Sequence, residues 1–337
     1  MDKNWRIAAF GGGTGLAALL SGLKTFTRLL TGVVTVTDDG GSSGDLRRQL
    51  GVLPPGDIRN CLVALADEGK LLAKLFQYRF GGKKGLAGHS FGNLFLTALT
   101  DICGGFDEAV LESSKVLAIR GRVLPVTLEN ITLAAKLSDG KIVYGETKIT
   151  KSPKKIEKLF LRPVEHPRAL PAVLKAIEEA EAIVFGPGSL YTSVLPHLLV
   201  EGIIEKIENS AALKIYVCNL MTQKAETSNF KASDHLKIIF QHCGKKIFDY
   251  VIVNEGRFSG ELLQHYAEAD SQPVVVDKEM VGNLGVKIMA ANLIDNNEFG
   301  NTSQGKYARH DSLKLAQTVI NLLSEKKKSR PLEMTLR

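Results

Sequence analysis

Glycine-rich and polar loops follow the apolar runs of this chain, and their residue types suit a phosphorylated ligand. The first loop reads Gly11-Gly12-Gly13-Thr14-Gly15 and leads into a helical pattern. Without side chains, the backbone N–H groups of such a loop can reach a phosphate at the positive end of a helix dipole. Gly13, Gly15 and Ala18 also fit G-x-G-x-x-A, although a tight turn that binds nothing shows the same pattern.

The second loop combines two acids with hydrogen-bond donors, in the order Thr37-Asp38-Asp39-Gly40-Gly41-Ser42-Ser43-Gly44-Asp45. Asp38 and Asp39 come about twenty residues after the glycines, where a dinucleotide fold places the carboxylate that binds ribose. They would serve equally as oxygen ligands for Mg²⁺ beside a phosphate, with Asp39 as the candidate metal ligand. A solvated turn is the third alternative. The amides and hydroxyls of Gly40, Gly41, Ser42 and Ser43 predict a second anion-binding nest.

Polar residues recur at the ends of later segments. Asp57 is predicted to cap the helix that follows Pro54-Pro55-Gly56, and Asn93 comes at the start of another helix. The second half adds Gly186, Gly188 and Ser189, then Asn219, Thr222 and Gln223, and finally Asn254. Because the carboxyl ends of parallel strands meet at one edge of a sheet, these loops together predict a ligand site there.

The sequence offers little for covalent catalysis. It contains no P-loop, no H-E-x-x-H pair and no G-x-S-x-G elbow. His89 is a modest candidate for an acid–base residue, but no partner stands beside it in the sequence. We therefore expect a binding protein without catalytic residues and leave enzymatic activity open.

Short apolar runs alternate with amphipathic stretches, which is typical of βαβ units and a parallel sheet. Strands are predicted at Arg6–Phe10, Gly32–Thr37, Ala182–Phe185, Lys214–Asn219, Tyr250–Asn254 and Pro273–Val276. Helices are predicted at Gly15–Thr25, Asp57–Glu68, Ser90–Ile102, Phe106–Leu117, Ala169–Glu179, Tyr191–Leu199, Ser259–Glu268 and Ser312–Glu325. Residues 123–162 interrupt the rhythm with half-exposed runs, Leu124–Thr127, Ile131–Lys136, Ile142–Ile149 and Leu159–Leu161. The fold class is therefore α/β: a doubly wound, mostly parallel Rossmann-like sheet with an inserted antiparallel β-meander.

Composition narrows the class of protein. The 337 residues are 44% hydrophobic and carry a net charge of +7, part of it in a basic tail at 326–337. We expect one domain over 1–325, because 123–162 reads as an insertion. The four cysteines are widely spaced, so neither a disulfide framework nor a zinc cluster is indicated. No apolar stretch approaches the roughly 20 residues of a membrane span, and no nucleic-acid-binding motif occurs. We expect a cytoplasmic protein and leave a homo-oligomer open.

Six motifs together resemble those of the gluconeogenesis-factor (YvcK) family, within the CofD-like superfamily. They are Gly11–Gly15, Thr37–Gly44, Pro55–Asn60, Gly88–Asn93, Gly186–Ser193 and Asn219–Gln223. The resemblance implies a regulatory protein that binds UDP-sugars, notably UDP-N-acetylglucosamine, and supports cell shape and wall synthesis during growth on gluconeogenic carbon sources. It also implies that Tyr266 and Arg309 hold the nucleotide sugar, and the residue that matches Ser312 is phosphorylated in some members of the family. The regulated partner, a cell-wall or central-metabolism protein, is not identified by the sequence.

Two other functions stay open. Transferases of the superfamily move a phospholactyl group onto a deazaflavin precursor with a divalent metal, so the resemblance admits that activity. The glycine pattern with Asp38 and Asp39 admits an NAD-binding oxidoreductase. Mg²⁺ and NAD are accordingly the two cofactors considered, and the nucleotide-sugar sensor is the function we expect.

Overall fold

Buried runs of valine, isoleucine and alanine form the central sheet of the protein. The computed structural model describes residues 4–67, 71–295 and 308–328. Seven strands of the sheet are mutually parallel: β1 Ile7–Gly11, β2 Leu30–Val34, β3 Arg122–Pro125, β7 Ala182–Phe185, β8 Leu213–Val217, β9 Tyr250–Asn254 and β10 Lys287–Ala291. Their order is β10-β9-β8-β7-β1-β2-β3. The chain therefore winds outward from β1 to β3 and then outward from β7, so the order reverses between β1 and β7.

The predicted doubly wound sheet is confirmed, with one strand misplaced. Pro273–Val276 is not a strand of the sheet, because Pro273 and Val275 make only isolated bridges, to Met221 and Lys231. A proline also lacks the N–H that a ladder needs. The outer strand is instead β10, which the sequence analysis did not assign.

The insertion is an antiparallel sheet of β4 Thr132–Leu137, β5 Ile142–Tyr144 and β6 Ile156–Arg162. Its order is β5-β4-β6, so the first strand is central and the consecutive order of a meander is wrong. The predicted strand Leu124–Thr127 overlaps β3, which pairs with β2 in the main sheet. The predicted strand Ile142–Ile149 stops at Tyr144, because Gly145 turns the chain at a φ of 92° into the helix α7.

Fourteen α-helices occur in the described ranges: α1 Gly13–Leu23, α2 Gly41–Leu50, α3 Gly56–Leu65, α4 Leu71–Gln77, α5 Phe91–Cys103, α6 Phe106–Leu117, α7 Glu146–Thr150, α8 Pro171–Glu179, α9 Leu195–Leu198, α10 Ile203–Glu208, α11 Ala232–Cys243, α12 Gly260–Glu268, α13 Lys278–Asn283 and α14 Ser312–Lys328. A π-helical turn, Leu190–Val194, leads into α9. The segment predicted as an anion-binding nest is thus the start of α2. Its largely polar sequence has no apolar stripe that would have revealed a helix.

The helix α1 lies in the core beneath the first glycine loop. Its Leu16, Leu19 and Leu20 are fully buried, and it packs against α3 and α14. A Cβ on Gly22 would lie 1.9 Å from the Ser312 carbonyl oxygen, so α14 approaches α1 at backbone distance. The predicted last helix extends to Lys328, and the rest of the predicted tail lies outside the described residues. Among the described helices, none has the length and apolar character to cross a membrane.

Candidate functional site

Two glycine loops meet at the reversal point of the strand order. A Cβ on Gly15 would lie 2.2 Å from the Pro187 carbonyl oxygen, and one on Gly188 would lie 3.0 Å from the Cβ of Ser193. Glycine is required at position 15, because a side chain there would push the two loops apart, whereas a Cβ on Gly188 would crowd its own segment. The structure therefore brings the predicted residues Gly11–Gly15 and Gly186–Gly188 together in one crevice at the carboxyl ends of β1 and β7. Thr14 lies exposed at the start of α1.

Asp57 supplies a negative charge inside the first glycine loop. The backbone N–H of Gly13 donates to its carboxylate, and a Cβ on Gly12 would lie 2.8 Å from its Oδ2. Asp57 does not cap its own helix, since Pro55 occupies that position and Asp57 stands in the first turn. Burial, aided by the charge of Asp38, raises the pKa of Asp57 from 3.8 to about 6. The residue as a whole is half-buried, whereas its carboxyl end is enclosed by the loop.

Three further carboxylates gather at the end of β2. Asp39 Oδ1 accepts hydrogen bonds from the backbone N–H and the hydroxyl of Thr147, at 2.9 and 2.7 Å, and Asp38 Oδ1 accepts from the N–H of Gly40 at 2.9 Å. Glu146 accepts from the Thr37 hydroxyl. Burial, with the charges of Asp38, Asp57 and Asp39, raises the pKa of Glu146 well above its ordinary value.

Arg47 interacts electrostatically with this acidic cluster. Its Nη2 donates to Asn130 Oδ1 at 2.6 Å and to the Ile131 carbonyl, both in the segment that leads into β4. Its Nη1 is buried and has no partner in the described part of the chain. Burial lowers the pKa of Arg47, against the opposing charges of Asp39, Glu146 and Asp38. Arg47, in the last turn of α2, therefore ties that helix to the segment that leads into the inserted sheet.

A hydrogen-bonded chain of side chains runs from α3 to the loop before α5. Arg59 Nη1 donates to Asn93 Oδ1 at 3.1 Å, Asn93 Nδ2 donates to Ser42 Oγ at 3.0 Å, and Ser42 Oγ lies 3.0 Å from His89 Nδ1. His89 thus has a partner that its sequence neighbours did not reveal. Ser43, also predicted, accepts from the N–H of Gly56 at 3.1 Å. Gly40 precedes α2 as its N-cap, and Gly41 is its first residue.

The second half of the chain contributes amides and a buried acid. Gly188 N–H donates to Asn219 Oδ1 at 3.3 Å, and Asn219 Nδ2 reaches Gln223 Oε1 at 3.4 Å. The Ser189 hydroxyl donates to Glu226, whose pKa is raised by burial. The Thr222 hydroxyl accepts a hydrogen bond from the backbone N–H of Gln272 at 3.0 Å.

A cavity of about 270 Å³ opens at the ends of β8 and β9, lined by Asn219, Asn254 and Phe258 among others. Asn254 holds the loop itself, because its Oδ1 accepts from the N–H groups of Gly256 and Leu293 at 3.1 and 3.0 Å. The buried ring of His310 donates to the carbonyl of Cys218, which also lines the cavity. Burial lowers the pKa of His310 to about 4, so the ring is neutral at pH 7.

The structure places Tyr266 against the backbone of Ala308, the residue before Arg309. The Tyr266 hydroxyl accepts a hydrogen bond from the N–H of Ala308 at 2.8 Å, and Tyr266 packs against the core. Arg309 is exposed, and its guanidinium makes no hydrogen bond within the described ranges. Ser312, the predicted phosphorylation site, is the first residue of α14, where Asp311 Oδ1 accepts from the N–H groups of Leu313 and Lys314.

A metal site receives no direct support from side-chain placement. Within 4–67, 71–295 and 308–328, no three histidine, cysteine, aspartate or glutamate side chains are arranged to hold an ion. Asp39 as a metal ligand therefore stays a prediction.

Sequence reasoning missed four residues of this edge: Arg47, Glu146, Glu226 and His310. Glu146 lies 109 residues from its partner Thr37, the partners of Arg47 lie 83 to 85 residues from it, and no local motif signals them. Glu226 follows the predicted Asn219–Gln223 segment by only three residues. For Glu226, its position just after a predicted polar loop was the signal that could have identified it.

Comparisons with known proteins assign the chain to a family. Residues 7–294 match the family model for 2-phospho-L-lactate transferase CofD. The chain belongs to the CofD family. A relative called putative gluconeogenesis factor from Nostoc sp. is 52% identical over 316 residues, covering 94% of this chain and 68% of that protein. The gluconeogenesis factor of Bacillus subtilis is 43% identical over 325 residues, covering 96% of this chain and all of that protein.

A solved structure agrees with the fold. A UPF0052-family protein from Bacillus halodurans superposes with a TM-score of 0.88 at 46% identity, over 94% of this chain and 99% of that one. Membership of the CofD family and similarity to gluconeogenesis factors, both expected from the motifs, are thereby confirmed.

Proposed function

We propose that the chain is a regulatory protein that binds a UDP-sugar, with UDP-N-acetylglucosamine as the ligand, at the carboxyl edge of the sheet. In this proposal it supports cell shape and wall synthesis during growth on gluconeogenic carbon sources. The observation that carries the proposal is the convergence on one edge of side-chain-free loops, amide side chains and an exposed arginine. A nucleoside diphosphate needs backbone N–H groups and a cation for its phosphates and polar side chains for its ribose and base, and this combination offers them.

Each part of such a ligand has a candidate partner. The first glycine loop is open at Gly13, where a Cβ would meet nothing within 4 Å, so a diphosphate can approach its backbone closely, as at other reversal points of doubly wound sheets. The exposed guanidinium of Arg309 can bind two phosphate oxygens at once. Tyr266 offers a ring for the base, and its hydroxyl fixes the backbone at Ala308, beside Arg309.

A transferase is the second candidate, and one observation favours it. Ser42 Oγ lies 3.0 Å from His89 Nδ1, which is the separation of a nucleophile and its general base. The matching family model also takes its name from a transferase. Two features favour binding alone: Ser42 is nearly buried, and its oxygen already accepts from Asn93.

A thermal-unfolding panel separates these functions. Its ligands are UDP-N-acetylglucosamine, UDP-glucose, NAD and a deazaflavin precursor, each with and without Mg²⁺. A ligand at a hundred times its Kd stabilises by about 2.7 kcal/mol. We expect this for UDP-N-acetylglucosamine without a requirement for the deazaflavin. Stabilisation by the deazaflavin precursor alone, with Mg²⁺, would favour the transferase.

The arginine provides a matched control for that panel. Arg309→Ala should remove most of the stabilisation by UDP-N-acetylglucosamine, whereas Arg28→Ala, at another exposed arginine, should leave it unchanged. Equal loss in both variants would show that general positive charge, and no specific clamp, explains the binding.

A further inference from the structure

The helix α4 and the residue after it carry apolar side chains on their exposed face, unlike an ordinary surface helix. Leu71, Leu75 and Tyr78 are 82, 38 and 53% exposed, and together with Lys74 they follow the i, i+3, i+4, i+7 spacing of one helical face. A surface helix normally turns such an apolar stripe inward. Here Phe76 is the one fully buried residue of α4, so the exposed apolar stripe does not contribute to the core.

The loop after α4 continues this apolar stripe with basic residues. Arg79, Lys83 and Lys84 are exposed, and Leu86 is 52% exposed. Backbone hydrogen bonds close the loop at its base, from Phe91 N to Tyr78 O at 2.8 Å and from Gly88 N to Phe80 O at 2.9 Å. From 71 to 100 the sequence contains no aspartate or glutamate. The segment 71–89, called the docking face below, is therefore apolar and purely cationic.

We propose that the docking face binds an anionic phospholipid surface. Leucine and tyrosine side chains that project beside lysine and arginine are the residues that insert at the headgroup boundary of a bilayer. Each basic residue near an anionic leaflet adds attraction, and the apolar side chains add burial. Leu71 protrudes almost completely, which suits a soft lipid surface that needs no preformed groove.

A second copy of the chain fits this face poorly. A two-fold contact would place the same cations of both copies, Lys74, Arg79, Lys83 and Lys84, against one another, and such like-charge contact is unfavourable. A lipid surface supplies the opposite charge. The base of the face also reaches the candidate ligand site, because His89 lies 3.0 Å from Ser42.

Vesicle sedimentation of the full chain tests the apolar part of the proposal. Vesicles of phosphatidylcholine alone are compared with vesicles that contain an equal share of phosphatidylglycerol. Leu71→Ser with Leu86→Ser should weaken binding to the anionic vesicles by about tenfold or more. Leu50→Ser with Leu111→Ser, at leucines 60 and 50% exposed elsewhere, should bind as the wild type does.

A charge variant tests the cationic part independently of the leucines. Lys83→Glu with Lys84→Glu should weaken binding by about twentyfold or more, since each lysine near the surface contributes about fivefold. Lys154→Glu with Lys155→Glu changes the net charge equally at an exposed pair in the insertion and should have little effect. Circular dichroism and melting temperature confirm that each variant is folded.

Binding of the wild type to anionic vesicles, lost in both docking-face variants and kept in both controls, supports the proposal. Three results would overturn it. The wild type could fail to bind anionic vesicles at low salt, or both lysine pairs could reduce binding equally. The leucine variant could instead keep its vesicle binding but show a lower molecular mass than the wild type in analytical ultracentrifugation without vesicles. That result would make the docking face an interface between copies of the chain.

Discussion

Replacing Asp57 with asparagine tests whether a carboxylate enclosed in the glycine loop governs the pH dependence of stability. The folded protein raises the pKa of Asp57 from 3.8 to about 6, chiefly by burial and secondly through Asp38. The folded state thus retains a proton that the unfolded chain releases between those pH values. Stability contributed by this group is therefore fully present below about pH 4 and is lost as the pH rises through about 6.

The magnitude follows from the change in pKa. A rise from 3.8 to about 6 corresponds to an upper bound of about 3 kcal/mol. Asp57 as a residue is half-buried, so solvent screening reduces this to about 2 kcal/mol. Asparagine keeps an oxygen that can accept from the N–H of Gly13 and removes the charge. Asp57→Asn should therefore stabilise the protein by about 2 kcal/mol at pH 8, or about 3 °C for a chain of this size.

Urea and thermal unfolding at pH 4 and pH 8 measure the effect. The stabilisation should be large at pH 8 and close to zero at pH 4, where the aspartate in the folded wild type is already protonated. Arg59 and Asp38 are present in both proteins, so contributions that do not involve the charge at position 57 cancel in the comparison to first order. Equal stabilisation at both pH values, or none at pH 8, would refute the assignment of an enclosed, charge-penalised carboxylate.

Two other substitutions test how the loops are held. Gly15→Ala places a Cβ 2.2 Å from the Pro187 carbonyl and should cost about 1–3 kcal/mol in unfolding free energy, whereas Gly260→Ala, with open space around it, should cost far less. Equal costs would show that the two glycine loops are not in close contact. Asp39→Ala removes the oxygen that accepts from both the N–H and the hydroxyl of Thr147 and should speed hydrogen exchange of the Thr147 amide by about tenfold or more. Unchanged exchange at that amide would contradict its hydrogen bond to Asp39.

Local patterns predicted the parts of the site that lie at strand ends. The strands Ala182–Phe185 and Tyr250–Asn254 match their predicted bounds, because each is a short apolar run closed by glycine or a polar residue. The first glycine loop was recognisable for the same reason. The parallel order of the sheet then placed these loops at one edge.

Long-range contacts were beyond the sequence. Glu146 approaches Thr37 across 109 residues, and no periodicity relates the two. The pairing of Ser42 with His89 depends on α2, whose polar sequence hid it as a helix. At Pro273–Val276 the sequence predicted a strand that the structure lacks. This apolar run makes only isolated bridges, from Pro273 to Met221 and from Val275 to Lys231.

Isothermal titration of UDP-N-acetylglucosamine into the wild type, Tyr266→Ala and Arg309→Ala tests the proposed function most directly. Loss of a stacked base or of a charged hydrogen bond should weaken binding by about 1–3 kcal/mol in each variant. Arg309→Ala should keep the melting temperature of the free protein, because its guanidinium makes no hydrogen bond within the described ranges. Saturable binding by the wild type that weakens in both variants is the predicted result. Absence of binding by the wild type, or unchanged affinity in both variants, would contradict the nucleotide-sugar site.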